Sequence, residues 1–269
     1  MLLDRLTVLA ALAILPAAAQ VSRSPVPTDI TTEGLSRRHA PIRVVEEHDD
    51  GTVTSDNWSG YALTGAAGSF TEAEGSWIVP AVTCSSGTQY AAFWVGIDGY
   101  TSKTVEQTGT DSDCSKGVPS YYAWYEFFPE PSFIVSGLQI SPGDRIAATV
   151  RYDDPGFTIT IKDETTGQSF SKSGRVPSAM RKSVEWVAEA PTSTTGIEPL
   201  ADFGTVLFGG DSTGIAATCD ATMDGQTGPI GSFPNIFQIT MVSLTGATES
   251  VPSALSSDGS SFSAMWVSK

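Results

Sequence analysis

Histidine and cysteine are both scarce in this chain of 269 residues, which has two histidines and three cysteines. Both histidines, His39 and His48, lie within the first 54 residues. A serine or cysteine nucleophile usually needs a histidine base, so a chain that loses this segment has to use other chemistry. No two cysteines have the close spacing of a zinc knuckle, and we expect neither a metal nor another cofactor.

Basic residues are also in short supply, with 15 Lys and Arg against 30 Asp and Glu and a net charge of −15. An acidic chain of this kind repels nucleic acid and anionic membranes. Neither is therefore expected as a partner. The chain is 40% hydrophobic and only 17% charged, which is typical of a folded protein rather than a disordered one.

The N-terminus has the layout of a secretory signal peptide. Arg5 precedes an apolar run over residues 6–15, and Pro16 and three alanines follow. We predict that residues 1–19 are removed on export, that the protein is secreted to the extracellular space, and that it has no membrane contact afterwards. The alternative is a buried N-terminal helix.

Residues 20–54 contain three prolines and mixed charges without a sustained hydrophobic period. This pattern predicts a pro-segment or a linker that takes no part in a core. The rest of the chain, residues 55–269, has ten basic and 23 acidic residues, a net charge of −13.

Long amphipathic helices are missing from residues 55–269, and strand-like alternation replaces them. Apolar residues alternate with polar ones in "RIAATVRY" (145–152) and in "FTITIKD" (157–163). Gly and Ser interrupt the pattern every ten residues or so. We predict a single all-β domain over residues 55–269, an antiparallel β-sandwich of two sheets of the jelly-roll or concanavalin A-like type.

Export permits disulfide bonds. Cys84 and Cys114 flank the stretch "VEQTGTD" (105–111), and we predict that they pair and leave Cys219 free or buried.

A Gly-x-Ser-x-Gly pattern at residues 210–214 would present a nucleophilic serine in some hydrolases. Ser212 has no histidine base if residues 1–54 are removed, and the residues after it do not predict a helix. We interpret the pattern as a glycine-rich turn.

Carboxylates are then the abundant groups that can exchange protons, and their pKa values point to work in acid. Glu126 lies among aromatic residues in "YYAWYEFFPEP", and in "SVEWVAEAP" Glu185 and Glu189 share one strand face. That face could equally be a solvated one. Carboxylates beside aromatic side chains suit either sugar or peptide binding, and composition does not separate the two.

Six separated blocks stand out in order along the chain: "NWSGYALTG" (57–65), "FWVGIDGY" (93–100), "VEQTGTD" (105–111), "YAWYEFFPE" (122–130), "EWVAEAP" (185–191) and "ADFGTVLF" (201–208). Together they resemble one known family, the glutamic peptidases or eqolisins, over residues 55–245. The resemblance implies a secreted, acid-active, pepstatin-insensitive endopeptidase that acts on polypeptides, and we expect it to be a monomer. Tyr122, Ala188 and Ala190 depart from the family pattern, which bears on subsite preference and pH optimum.

By the same resemblance, the catalytic pair is Gln107 and Glu189, and Glu185 is not part of it. Four further residues are implied to line or support the cleft: Trp94, Asp98, Trp124 and Glu126. For the two tryptophans a purely core role is the alternative. Glu106 points to the opposite strand face and is expected to be dispensable.

The charge of the N-terminal segment indicates a role for it. Arg23, Arg37, Arg38 and Arg43 contrast with the acidic remainder, so the segment is expected to mask the cleft near neutral pH and to be cut away in acid. A flexible linker is the alternative. The rival functions are a carbohydrate-active or carbohydrate-binding sandwich that uses Glu126 and Glu189 as paired carboxylates, and an inactive binding module.

Overall fold

The computed structural model describes residues 37–216 and 218–268. The predicted signal peptide and the first half of the predicted pro-segment lie outside these residues. The strands in chain order are β1 (Val44–Glu47), β2 (Thr52–Ser55), β3 (Trp58–Thr64), β4 (Phe70–Ile78), β5 (Thr88–Gln89), β6 (Ala92–Ile97), β7 (Val105–Ser115), β8 (Val118–Phe128), β9 (Phe133–Gln139), β10 (Arg145–Asp153), β11 (Gly156–Asp163), β12 (Ser169–Gly174), β13 (Ser183–Glu189), β14 (Thr192–Ser193), β15 (Gly196–Ile197), β16 (Thr205–Phe208), β17 (Asp220–Met223), β18 (Gln226–Pro229), β19 (Ile236–Val242), β20 (Thr248–Pro252) and β21 (Phe262–Trp266).

The strands form two layers that face each other. The front sheet has the order β9-β8-β7-β6-β13-β3-β19. The back sheet has the order β12-β11-β10-β4, and β16 and β17 pair along the other edge of β4. Strands β20 and β21 connect β19 to β16 and so link the two layers at one side. The predicted all-β sandwich is confirmed.

Nearly all neighbouring strands in these layers are antiparallel. The exception among the described pairs is β2, which runs parallel to β19 and extends the front sheet, with β1 beyond it.

The main hydrophobic core lies between the sheets, where β4, β10 and β11 lie against β6, β7 and β13. The alternation predicted for β10 and β11 is confirmed, because Ile146, Val150 and Ile159 point into this core while Thr149 and Thr160 are less buried. Burying side chains of this size stabilises the fold by about 1.5–3 kcal/mol each.

The cysteines behave as the sequence predicts. Cys84 and Cys114 form a disulfide that closes a loop of 30 residues, and such a constraint on the unfolded chain is worth about 3–4 kcal/mol. The third cysteine, Cys219, has a free thiol and is buried.

The Gly-x-Ser-x-Gly pattern forms one short helical turn, α1 (Gly210–Thr213), that ends at Gly214 in a left-handed conformation. Ser212 is exposed there. A second short turn, of 3-10 helix, spans Ile230–Ser232. Neither helix of the described part of the chain is long and apolar enough to cross a membrane.

The N-terminal segment packs on the domain, contrary to the expectation that residues 20–54 take no part in a core. Arg37, His39 and Val53 are buried, and Val53 belongs to a hydrophobic cluster on the outer face of the front sheet. Two causes account for the difference. Strand β2 pairs with β19 across the predicted boundary, and the buried arginine and histidine lie against acidic side chains, which a hydrophobicity pattern does not register.

Candidate functional site

The predicted site residues meet on the outer face of the front sheet. Glu185, Gly96, Gln107 and Glu126 lie side by side on β13, β6, β7 and β8. Residues in lateral register project to the same face, and so do residues two or four positions along a strand. Glu189 therefore shares this face, two residues beyond Val187 along β13.

Glu189 is held by a tryptophan. The indole Nε1 of Trp94 donates a hydrogen bond of 2.8 Å to Glu189 Oε2, and Trp58 packs edge-on against Trp94. The carboxyl is fully buried. Burial raises the pKa of Glu189 well above its ordinary value, and the charge of Glu126 raises it further. A carboxyl in this state keeps its proton into less acidic solution than a free one does.

Gln107 is fixed by a second carboxyl. Its Nε2 donates to Glu126 Oε2 at 3.1 Å and to the backbone carbonyl oxygen of His39 at 2.5 Å. Glu126 is buried, and burial raises its pKa well above its ordinary value. These two acceptors fix the orientation of the amide, and no described group bonds the amide oxygen.

His39 lies between these groups. Its backbone N–H donates to Glu126 Oε2 at 2.9 Å, and its Nδ1 lies 3.2 Å from Glu189 Oε2. The imidazole stacks on the indole of Trp124 with ring centroids 3.5 Å apart. Burial lowers the pKa of His39 well below its ordinary value, and the charge of Arg37 lowers it further, so the ring is neutral at neutral pH.

Residues 37–42, which we call the docked segment, cross the face before the first strand of the chain begins. Arg38 exchanges backbone hydrogen bonds with Thr192 on one side of His39. On the other side, Trp58 Nε1 donates to the carbonyl of Ala40, and Asn57 Nδ2 donates to the carbonyl of Pro41. The backbone of the segment is thus held on both sides of His39.

The N-terminal end of the docked segment is anchored by charge. The guanidinium of Arg37 donates to Asp113 at 2.9 Å and to the hydroxyl of Tyr122 at 2.6 Å. It also lies 4.1 Å from the ring centroid of Tyr90. This contact involves Tyr122, one of the positions at which the sequence departs from the family pattern.

Five of the six predicted site residues come together. Gln107, Glu189 and Glu126 contact the docked segment directly. Trp94 and Trp124 are fully buried and also reach the site, Trp94 through Glu189 and Trp124 through the ring of His39. Core packing and cleft lining are therefore not alternatives for these two side chains.

Asp98 is the exception, because its carboxylate turns away from the docked segment. It accepts backbone hydrogen bonds of 2.7–3.0 Å from Met180, Arg181 and Lys182. Its backbone is in the left-handed region, with φ of 70°. Asp98 therefore fixes the loop that leads into β13, and its relation to the cleft is indirect.

Two further glutamates are buried away from the docked segment. Glu185 shares a face with Glu189, and this face is buried rather than solvated. Glu106 points to the opposite strand face, as expected, but it too is fully buried. Burial raises the pKa of both carboxyls well above the ordinary value. The expectation that Glu106 is dispensable therefore concerns chemistry and does not extend to stability.

Sequence reasoning missed His39, Asn57 and Asp113. His39 belongs to the N-terminal segment whose removal is predicted, and Asn57 lies in a matching block without an assigned role. The arginines of the N-terminal segment are a signal for an acidic partner on the domain. They do not indicate that the partner of Arg37 is Asp113.

Comparison with known proteins identifies the family. The Peptidase A4 family matches residues 56–266. The chain is 34% identical to aspergillopepsin-2 of Aspergillus niger, covering 64% of this chain and 72% of the relative, and 35% identical to scytalidopepsin B of Scytalidium lignicola, covering 70% and 71%. The structure of scytalido-glutamic peptidase with a transition-state-analogue inhibitor superposes with a TM-score of 0.65 at 28% identity, covering 79% of this chain and 98% of that one.

These relatives are peptidases, which decides between the peptide and carbohydrate functions that composition left open. The chain therefore belongs to the peptidase A4 family of glutamic peptidases, the eqolisins, and is an endopeptidase that acts on polypeptides.

Proposed function

We propose that the protein is a secreted acid endopeptidase in which Glu189 activates water and Gln107 stabilises the oxyanion. One observation carries this proposal. Gln107 and Glu189 both contact one residue of the docked segment, with Gln107 Nε2 on the carbonyl oxygen of His39 and Glu189 Oε2 on its side chain. A substrate peptide in the same position would present its carbonyl to Gln107, with Glu189 beside the same residue.

The chemistry follows from the groups at this point. Removal of the docked segment exposes Glu189 and lowers its pKa from the value that burial raises. In its ionised form Glu189 takes a proton from water as the water attacks the carbonyl carbon, and it then gives that proton to the leaving nitrogen. Gln107 donates an N–H to the oxygen on which negative charge develops. Because an amide is uncharged, this donor works at any acidic pH.

Glu126 has a supporting part. Its carboxyl accepts from the Gln107 amide and from the backbone N–H of the docked residue. Glu126 thereby orients the oxyanion donor, and it also binds the backbone N–H of the residue whose carbonyl this donor contacts. Trp94 orients Glu189 by donating a hydrogen bond to one of its carboxyl oxygens.

The N-terminal region is the other part of the proposal. Residues 1–19 act as a signal peptide, and residues 20–54 act as a pro-segment that blocks the cleft until acid removes it. The support for blocking is the position of His39, which is fully buried between Gln107 and Glu189. A flexible linker would not pack in this way.

The test is digestion of denatured casein at acidic pH by the full chain after acid treatment, with and without pepstatin. Cleavage should persist with the inhibitor. Gln107→Ala should lower the rate by about 10²–10³-fold because it removes one oxyanion donor. Glu189→Gln should lower it by at least about 10³-fold because it removes both proton transfers.

Matched controls are Gln226→Ala and Glu130→Gln, which change the same residue types at exposed positions. Both should digest casein at the wild-type rate. If either Gln107→Ala or Glu189→Gln retained near wild-type activity, the proposed pair would be wrong. Release of soluble sugar from a polysaccharide without casein cleavage would instead favour the carbohydrate function.

A further inference from the structure

We propose that the docked segment lies in the cleft as a substrate, and that His39–Ala40 is the first peptide bond that the enzyme cuts in its own precursor. This inference rests on the proposed function. It names the peptide bond that the precursor hydrolyses first. The reaction is intramolecular, because the bond and the catalytic pair belong to one chain.

The hydrogen-bond donor to each carbonyl oxygen of the docked segment indicates which peptide bond is cut. The carbonyl of Arg37 accepts from Ser132 Oγ, and that of Arg38 accepts from the backbone N–H of Thr192. The carbonyl of Ala40 accepts from Trp58 Nε1. The carbonyl of His39 is the one that accepts from Gln107 Nε2. The bond that follows this carbonyl is His39–Ala40.

The backbone on both sides of this bond is restrained. The N–H of His39 is held by Glu126, and Arg38 pairs with Thr192 in an isolated antiparallel bridge. Beyond the bond, Ile42 N–H donates to the carbonyl of Gly99. An amide held at both ends beside its catalytic groups loses little further freedom on the way to the transition state, which is the main source of rate in intramolecular reactions.

The imidazole of His39 keeps the precursor intact. It occupies Glu189 Oε2, the oxygen that Trp94 also fixes, and it excludes water from that side of the carboxyl. The charged and titratable groups around it are Glu189 on β13, Asp111 on β7 at 3.9 Å, Glu126 on β8 and Arg37 on its own segment.

The cut requires the imidazole to leave Glu189 Oε2 while the backbone contacts of the segment remain. Glu189 Oε1, which no described group bonds, and the vacated Oε2 can then bind water.

The cut balances as a hydrolysis. Glu189 takes a proton from water, the hydroxyl adds to the carbonyl carbon of His39, and the carbon–nitrogen bond to Ala40 breaks. The proton on Glu189 passes to the nitrogen of Ala40. The products are a peptide that ends in the carboxyl group of His39 and a chain that begins with the amino group of Ala40.

The experiment follows purified full-length precursor after a shift to acidic pH, with mass spectrometry of the fragments over time. The first products expected are a peptide that ends at His39 and a chain that begins at Ala40. The rate constant should not change when the precursor is diluted tenfold. Dependence of the rate on precursor concentration would overturn the intramolecular cut.

Two variants at the same position make the test specific. Ala40→Gly keeps an ordinary amide and should be cut at the same bond. Ala40→Pro replaces the amide with a tertiary one that carries no N–H, and it should not be cut there. If Ala40→Pro were processed at the same bond, the assignment would be wrong.

The outcome separates this inference from the proposed function. A precursor whose first cut lies elsewhere, but which digests casein once its N-terminal segment has been trimmed with trypsin, overturns the inference and leaves the proposed function standing. A trimmed protein that leaves casein untouched overturns the proposed function. The Glu189→Gln precursor should remain uncut under all these conditions.

Discussion

At the scale of single residues, Asp98 is the site prediction that the structure redefines. Its carboxylate accepts three backbone N–H groups from the loop before β13. Asp98→Ala should therefore lower the free energy of unfolding by about 3 kcal/mol, since buried hydrogen bonds to a charged acceptor are lost. Urea denaturation of the precursor measures this loss.

Asp98→Asn is the matched variant, because asparagine tolerates the left-handed backbone and keeps one acceptor oxygen. It should lose about half as much stability. A variant Asp98→Ala that is as stable as wild type but inactive would place Asp98 in the chemistry instead of the loop.

The residue scale also shows what the sequence could and could not predict. Gln107 and Glu189 were predicted only because separated blocks resemble a family, since alternation in β13 also allowed a solvated face for Glu189. The docking of His39 could not be predicted. It depends on a donor from β7 and on carboxyl groups from β8 and β13, and no local pattern in the N-terminal segment encodes that combination.

At the scale of elements, the front sheet depends on a glycine in β7. A Cβ at Gly109 would lie 2.3 Å from the carbonyl oxygen of Phe93, 2.6 Å from Trp94 Cβ and 2.9 Å from the Trp124 ring. Gly109→Ala should cost about 1–3 kcal/mol of stability through overpacking. It should also reduce casein cleavage by up to about 10²-fold, because it displaces the two tryptophans at the site.

Gly137 in β9 provides the control, since a Cβ there meets nothing within 4 Å. Gly137→Ala should change stability by less than about 0.5 kcal/mol and leave activity unchanged. Urea denaturation and the casein assay on both variants check the pair. Equal effects of the two substitutions would mean that Gly109 has no special packing role.

The elements differ in how well their sequence predicts them. Strands β10 and β11 face the core on one side only, so their apolar and polar residues alternate visibly. Strands β6 and β13 are buried on both faces. The near-continuous apolar run of β6 carries no period of two, and the alternation in β13 allows a solvated face that the structure buries. The two-sheet architecture could therefore be predicted, whereas the face that carries the site could not.

At the scale of the whole molecule, buried carboxyls set the pH range in which the fold is stable. Burial raises the pKa of Glu106 and Glu185 in the folded state, and the charge of Asp98 adds to the shift in each. The folded protein therefore binds more protons than the unfolded chain above the ordinary glutamate pKa. The stability that this contributes is fully present below that value and is lost as the pH rises toward the folded pKa.

The Glu189→Gln precursor, which should remain uncut in acid, should accordingly have a larger free energy of unfolding near about pH 4 than near about pH 7. Up to about 1.4 kcal/mol is lost per pH unit for each carboxyl while it stays protonated only in the folded state. Urea denaturation at the two pH values measures the difference. Glu106→Gln and Glu185→Gln keep the shape of the protonated side chain without its titration, so each should reduce the pH dependence. The exposed control Glu130→Gln should leave it unchanged. Stability that rises between the two pH values would mean that these carboxyls are ionised in the folded protein, in which case another charge must compensate them.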